Sequence, residues 1–383
     1  MNEADERNEE AWSEFTGRPR PPVDFHGTAK IVQGRCILVT GAGGSIGSAL
    51  ARALAPLNVG GLVLLDQAEL GLHELSCEAA LKALGDKVKY VVGSIDDKAR
   101  LDEVFGRYRP EIVFHAAACK HVPLMEANPF TAASTNALGT WRLVRAAIEA
   151  GVRQCVLLST DKAVEPSSIM GATKRVAELI LLAAPGETVW KAVRLGNVFG
   201  SSGSVVPTFQ EQARRGGPVT VTHAEAMRYF LPMSAAVRCL LSALDARLPS
   251  GVLVPELGTP LRILDLARFF AERSPGPLGR PEVTVTGLRP GDKLAERMIA
   301  DGEMVSAETV NGLASMRDGL GSVQAQGRSW TVLERCMLDL RSAVERRDLD
   351  DLLRAIEAVV PEYRPGDLLQ RERRVEETKG VSA

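Results

Sequence analysis

Residues 36–47 read CILVTGAGGSIG, a short apolar run followed by a glycine-rich turn that opens the helical pattern SALARAL. Glycines at such a turn let backbone N–H groups approach a pyrophosphate closely, and the helix N-terminus adds favourable partial charge. Gly41, Gly44 and Gly47 recur at every third position, and with Ser45 and Ile46 they form the candidate dinucleotide-binding turn. A tight turn without a ligand is the competing reading; the strand before it and the helix after it favour the phosphate.

Working outward, Asp66 ends the next apolar run, GLVLLD, about twenty residues on, where a carboxylate accepts hydrogen bonds from an adenosine ribose. No arginine follows it immediately to pair with a 2′-phosphate, so NAD is expected over NADP. Asp96, in GSIDD, suits either the adenine amine or the N-cap of a helix. HAAA at 115–118 places the small residues Ala116 and Ala117 where backbone can approach the cofactor, with His115 expected to be structural.

KVKYVVG, EIVFHAA, RQCVLLST and VWKAVR repeat the strand signal up to Arg194, alternating with helical stretches. Strands separated by helices imply right-handed βαβ units, and continuous apolar runs imply strands covered on both faces. The expected fold is α/β, a Rossmann-like doubly wound parallel sheet with a smaller C-terminal substrate-binding region. Residues 1–30 are expected to form an extended N-terminal arm through the prolines of GRPRPPVD, followed by a nucleotide-binding unit over 31–195. Residues 196–300 form an interleaved substrate region, and helices at 331–346 and 349–359 precede the charged tail RERRVEETKGVSA.

With 383 residues, 45% hydrophobic and 25% charged, the chain can bury a full core. A formal net charge of -2 gives no reason to expect nucleic acid as a partner. Six scattered cysteines, with no metal-like spacing to the five histidines, read as reduced thiols with no metal site. The acidic N-terminus lacks signal-peptide order, and no apolar stretch nears the ~20 residues of a membrane span. A cytoplasmic protein is expected.

The stretch STDKAVEPSSIMGATK, 159–174, comes close to an active-site pattern in which Tyr-x-x-x-Lys follows a serine or threonine, but Met170 stands four before Lys174. Together with TGAGGSIGS, KHVPLMEANP, TNALGT, RLGNVFGSSGSVVPTF and GLRPGDKLAE it resembles the nucleotide-sugar 4,6-dehydratases of the extended short-chain dehydrogenase/reductase superfamily, in the branch acting on UDP-N-acetylglucosamine. The resemblance covers most of residues 15–365. Larger members of that branch similarly carry methionine at this place and have an N-terminal membrane region, near whose junction this chain is expected to begin.

The resemblance implies oxidation of a UDP-sugar at C4 by NAD+, loss of water across C5 and C6, and return of the hydride to C6. It implies Lys162 as the C5 base and Asp161 as the acid for the leaving hydroxyl; Asp161 is further expected to accept the C4 hydroxyl proton first, and Thr160 to hydrogen-bond the sugar O4. Lys174 would hold the nicotinamide ribose, while Met170 packs. Burial, Lys174 and the oxidised nicotinamide are expected to push the Lys162 pKa down. Arg194, Asn197, Arg228, Arg289 and Lys293 are the candidate diphosphate ligands. Pro207 and Phe209 either shape a base pocket or pack, and Lys120 either reaches the sugar or is a solvated loop lysine. Cys119 departs from the larger, often aromatic residue of the family and could alter which sugar fits. Retention at C5 and a homo-oligomer, at least a dimer, are expected. Three alternatives remain open: another nucleotide sugar as substrate, a C4 epimerase or oxidoreductase, and a non-catalytic NAD-binding protein.

Overall fold

Alternation along the apolar strands decides which layer each side chain enters. In β1 (Cys36–Thr40), Leu38 joins the core on one face of the sheet while Ile37 and Val39 join the core on the other. The same division recurs in β2 (Gly61–Asp66), where Val63 and Leu65 oppose Leu62 and Leu64. With β3 (Val88–Val92), β4 (Ile112–His115), β5 (Gln154–Thr160), β6 (Val189–Leu195) and β7 (Gly251–Pro255), these strands form a seven-stranded parallel sheet. The order is β3-β2-β1-β4-β5-β6-β7, and it reverses between β1 and β4. Such a reversal opens a crevice at the carboxyl ends of the strands, the place where this fold binds ligands. The computed structural model describes residues 3–18, 26–273, 279–310, 313–318, 329–371 and 373.

The Rossmann-like α/β fold agrees with the sequence, and the sheet is larger than expected. β7 comes from the stretch read as the interleaved substrate region, and β8 (Glu303–Val310) and β9 (Leu313–Asp318) extend the sheet antiparallel from its edge. The expected C-terminal helices are present as Trp330–Arg346 and Leu349–Val359. Their apolar side chains, including Leu333, Leu352 and Ile356, close one face of the main core, and Trp330 stacks on Trp141 at 4.2 Å.

The extended arm needs correction. Residues Glu3–Thr16 form helix α1, because the prolines begin only after it ends and the segment itself is rich in good helix formers. Trp12 is buried and meets Phe199 edge-on at 5.6 Å, within a third core that includes Phe209, Phe230 and Phe270. The Glu9 carboxylate accepts the Ser234 N–H at 2.8 Å. The prolines of GRPRPPVD lie outside the described residues, as does the charged tail apart from Arg371 and Arg373. No helix among the described residues is long and apolar enough to cross a membrane.

If α1 is part of this core, Trp12→Ala should cost about 3–5 kcal/mol in urea denaturation. A change below about 1 kcal/mol would mean that the helix does not dock there.

Candidate functional site

The glycine turn brings three segments into backbone contact. Gly41 has φ +68, and a Cβ on it would lie 2.6 Å from the Ala117 nitrogen; one on Gly47 would lie 2.0 Å from the Gly41 carbonyl oxygen. Only hydrogen fits at either place. Gly44 caps the following helix, α2 (Ser45–Leu54), without a side-chain hydrogen bond, which leaves the helix start open to a phosphate. Gly43, passed over in the sequence reading, donates its N–H to Asp66 Oδ2 at 2.9 Å, and Ala68 donates to Oδ1 at 2.8 Å. The Asp66 carboxylate is thus pinned at the tip of β2 beside the turn. Among the described residues this constellation fits the adenosine and pyrophosphate of a dinucleotide.

Asp96 accepts from Thr135 Oγ1 at 3.0 Å and lies 3.5 Å from Arg142, while the N-cap of the helix Lys98–Tyr108 is its neighbour Asp97. His115 is fully enclosed between Thr40 and Thr140, at 2.8 and 3.0 Å. Burial and the Lys174 charge lower its pKa to about 3, so it stays neutral.

At the end of β5 the chain turns tightly through Asp161–Ala163 and then enters helix α3 (Ile169–Ala183), capped by Ser168. Gly171 makes the turn possible, since a Cβ there would stand 2.2 Å from the Lys162 carbonyl oxygen. Asp161 is wholly buried. Its Oδ1 accepts from Thr160 Oγ1 at 2.9 Å and Lys162 Nζ at 3.0 Å, whereas Oδ2 has no hydrogen-bond partner among the described residues. Lys162 Nζ also donates to Asn197 Oδ1 at 3.1 Å and lies 3.8 Å from Glu296.

Lys162 departs from expectation. Burial pulls its pKa down, but the charges of Asp161 and Glu296 outweigh both that and the opposing Arg228, so the pKa is raised. Lys174 is not among the main influences on it. Its own ammonium donates to the Leu158 carbonyl at 2.6 Å, and burial lowers its pKa to about 8 against the pull of Glu178. Met170 is buried within the main core.

The proposed diphosphate residues divide. Asn197 touches Lys162, and Lys293 donates to the Val164 carbonyl at 2.7 Å and lies 3.6 Å from Glu296. Arg228 spends its terminal nitrogens on the carbonyls of Met227, Lys293 and Leu294, with Nε 4.0 Å from Glu296. Arg289 is exposed and paired with Asp292 at 2.8 Å. Lys120 donates to the Ser202 carbonyl at 2.7 Å, and the Ser202 N–H reaches Ser45 Oγ at 3.0 Å, so the 200–204 loop lies against the start of α2. Pro207 is half-buried on the helix Val205–Arg214, and Phe209 packs in the third core. Cys119 exchanges both backbone hydrogen bonds with the Asn136 amide, at 2.8 and 3.0 Å.

Arg194 must be withdrawn as a ligand. Its side chain is completely buried and gripped by Glu178 at 2.9 Å and Glu303 at 2.7 Å, with the Met298 carbonyl a further acceptor at 3.1 Å. A basic residue in a sugar-binding motif reads the same whether it faces substrate or carboxylates distant in sequence. Glu296, which sequence reading missed, sits at the end of the quoted motif GLRPGDKLAE and gains its neighbours only through folding.

Comparison with known proteins follows this geometry. Residues 37–317 match the family described as "Polysaccharide biosynthesis protein". The capsular polysaccharide biosynthesis protein CapD of Staphylococcus aureus is 39% identical over 76% of this chain and 49% of its own length. This chain therefore spans about half of that relative. A protein of Campylobacter jejuni named UDP-N-acetylglucosamine 4,6-dehydratase (inverting) is 31% identical over 70% of the chain and 78% of its own. Among solved structures, the UDP-glucose 4-epimerase of Thermotoga maritima with UDP-glucose matches at a TM-score of 0.58 and 25% identity, over 68% of this chain and 88% of that one.

Two outcomes test the site's framework. Arg194→Met should destabilise the protein by about 3–5 kcal/mol, because it strands a buried carboxylate; a variant of native stability that only loses substrate affinity would restore the ligand role. Burial pushes Glu178 up, but Arg194, Arg175 and the Ser159 hydroxyl hold it well below the ordinary carboxylate range. Its folded pKa being depressed, that stabilisation is full above the ordinary range and is lost as pH falls below it. Arg194→Met should therefore flatten the acid limb of stability against pH. Separately, Gly171→Ala should cost about 1–3 kcal/mol by crowding the Lys162 carbonyl, as read by thermal and urea melts; a silent substitution would deny the close approach.

Proposed function

We propose that this chain, which belongs to the polysaccharide biosynthesis protein family, is an NAD-dependent 4,6-dehydratase of a UDP-sugar, with UDP-N-acetylglucosamine as the favoured substrate. The observation that carries this reading is the wholly buried Asp161, whose Oδ2 lacks a hydrogen-bond partner among the described residues while Oδ1 is shared by Thr160 and Lys162. A buried orphan acceptor is costly unless a ligand donor satisfies it, and the C4 hydroxyl of a sugar is such a donor. The likeness to a Campylobacter protein named for UDP-N-acetylglucosamine 4,6-dehydration supports the choice of reaction and sugar.

NAD, when bound, supplies a reversible two-electron oxidant, so the net reaction consumes no external reductant. The glycine turn and the start of α2 would hold its pyrophosphate and Asp66 its adenosine ribose, with the small Ala116 and Ala117 leaving room for it; Asp96 would serve its adenine and Lys174 its nicotinamide ribose. Thr160 orients the sugar O4. Asp161 takes the C4 hydroxyl proton and later gives it to the departing C6 hydroxyl, which leaves as water. Lys162 takes the C5 proton. Its raised pKa makes the order important: protonating Asp161 removes the nearest negative charge, which weakens the hold on the Lys162 ammonium just before a neutral amine is needed. The partial exposure of Lys162, 22%, leaves its proton a way to solvent. Asn197 holds that amine in place, and Lys293, Arg289 and Lys120 supply positive charge for the diphosphate. Protonation at C5 on the face of departure would give retention.

A C4 epimerase is the second reading, since the Thermotoga neighbour carries that name. It would ask a group at position 170 to move a proton, and a buried thioether cannot.

Incubation with NAD+ and UDP-N-acetylglucosamine in deuterated water should give loss of water with deuterium at C5, followed by NMR and mass spectrometry. Lys162→Ala should lower that rate by about 10²–10⁴-fold, while Met170→Leu, which conserves volume, should stay within a few-fold. Wild-type rates in folded Lys162→Ala would exclude it as base. Unchanged substrate in the presence of folded protein and bound NAD would reject this sugar.

A further inference from the structure

Glu296 is 7% exposed and sits where three cations meet, a position that the proposed reaction does not explain. Its carboxylate lies 3.8 Å from Lys162 Nζ, 3.6 Å from Lys293 Nζ and 4.0 Å from Arg228 Nε. Among the described residues its Oε2 accepts no hydrogen bond at normal length, and the Lys293 ammonium is the cation paired to that oxygen, at 3.6 Å. The three cations arrive from different parts of the chain: the turn after β5, the strand Met227–Arg228, and the loop just before Glu296 itself. A carboxylate buried in this way is not placed for packing. Around Lys162 the charged groups are Asp161 on its own turn, Glu296, Arg228 and Lys293, with Asn197 and Thr160 as neutral partners and Glu165 acting on Lys293. Asp161 and Glu296 are the carboxylates beside Lys162, so loss of Glu296 would leave Lys162 with Asp161 as its paired carboxylate while Glu165 acts on Lys293.

We infer that Glu296 is a positioning residue for the proton transfer at Lys162: its charge keeps the ammonium seated against Asp161 and Asn197 and sets the pH at which that amine becomes a base. This rests on the dehydratase reading for its role in turnover, though the electrostatic relation between the two side chains does not depend on any substrate. The raised pKa of Lys162, to which Glu296 contributes after Asp161, agrees with it. When Asp161 takes a proton, Glu296 becomes the remaining negative neighbour, and it prevents Lys162 from being expelled by Arg228 and Lys293.

The test reads the Lys162 amine directly. Lysines are reductively methylated with ¹³C, the Lys162 resonance is identified by its absence in Lys162→Arg, and its titration is compared between wild type and Glu296→Gln. The midpoint should fall by about one unit or more on losing an opposite charge at this range. Glu296→Asp, which keeps the charge but withdraws it, should give a smaller fall in the same direction and serves if the glutamine variant does not fold. In turnover, kcat/KM that rises with pH as Lys162 deprotonates should have its rising limb moved to lower pH by the same amount. A merely structural residue would lower kcat at every pH and leave the limb unmoved. An unchanged Lys162 midpoint in folded variants overturns the inference even if dehydration is observed; a shifted midpoint with no turnover of any nucleotide sugar upholds it and rejects the proposed reaction instead.

Discussion

The buried carboxylate of Glu178 is the joint on which the reactive end of the sheet is built. It projects from α3, accepts the Ser159 hydroxyl of β5 at 2.6 Å, and pairs with Arg175 on its own helix and Arg194 on β6, both at 2.9 Å. Arg194 then carries the connection to Glu303 at the start of β8. One side chain thereby fixes a helix, two adjacent strands and the C-terminal extension of the sheet relative to one another. Burying these charges is costly, and good geometry with several hydrogen bonds is what offsets the cost. Such a network contributes position more than stability: Ser159 immediately precedes Thr160, Asp161 and Lys162, so any slack there would appear at the reactive atoms.

Above this joint, close backbone approach does the remaining placement. Gly171 admits the Lys162 carbonyl to α3, and Gly41 admits the Ala116–Ala117 backbone to the phosphate turn. Both contacts bring chain segments nearer than any side chain would allow, one at the proton-transfer turn and one at the cofactor turn. The crevice between β1 and β4 lies between them because the strand order reverses there. The fold thus brings the glycine turn and the Thr160–Lys162 turn to the same edge without a long loop at either.

Much of this was legible in the sequence, and what was not shares one physical cause. The parallel strands announced themselves because a strand covered on both faces must be apolar throughout, and the glycine turn because its spacing is local. Asp161, Lys162 and Lys174 could be singled out as candidates because they lie close together in sequence. Helix α1 was missed because it buries few apolar residues, Ala11 and Trp12 among them, amid charge, and the following prolines were given too much reach. β7 was hidden in a stretch crowded with glycine and proline. Arg194 and Glu296 failed for the opposite reason to the strands: their meaning lies in partners contributed by distant segments, Glu303 for one and Arg228 for the other. The direction of the Lys162 shift failed with them, since the expectation weighed burial and nearby cations without the carboxylates of Asp161 and Glu296, the second of which had not been noticed.

Met170 shows how these constraints bear on chemistry. A phenol four residues before Lys174 would put a titratable hydroxyl on α3, within reach of the lysine one helical turn on. Here the helix carries a thioether packed in the core, and Lys174 is turned to the Leu158 carbonyl. The helix therefore offers a cation and no proton acceptor at that place. The adjoining turn offers a fully buried carboxylate with an unpaired oxygen and an amine bonded to its other oxygen. In the proposed reaction the acceptor and the base therefore stand on consecutive residues of the turn instead of on the helix, so that each protonation changes the other's charge balance. A lone phenol lacks that coupling. In an elimination that needs a proton taken at one carbon and another delivered to a leaving oxygen close by, coupling is the property that lets one group prepare its neighbour.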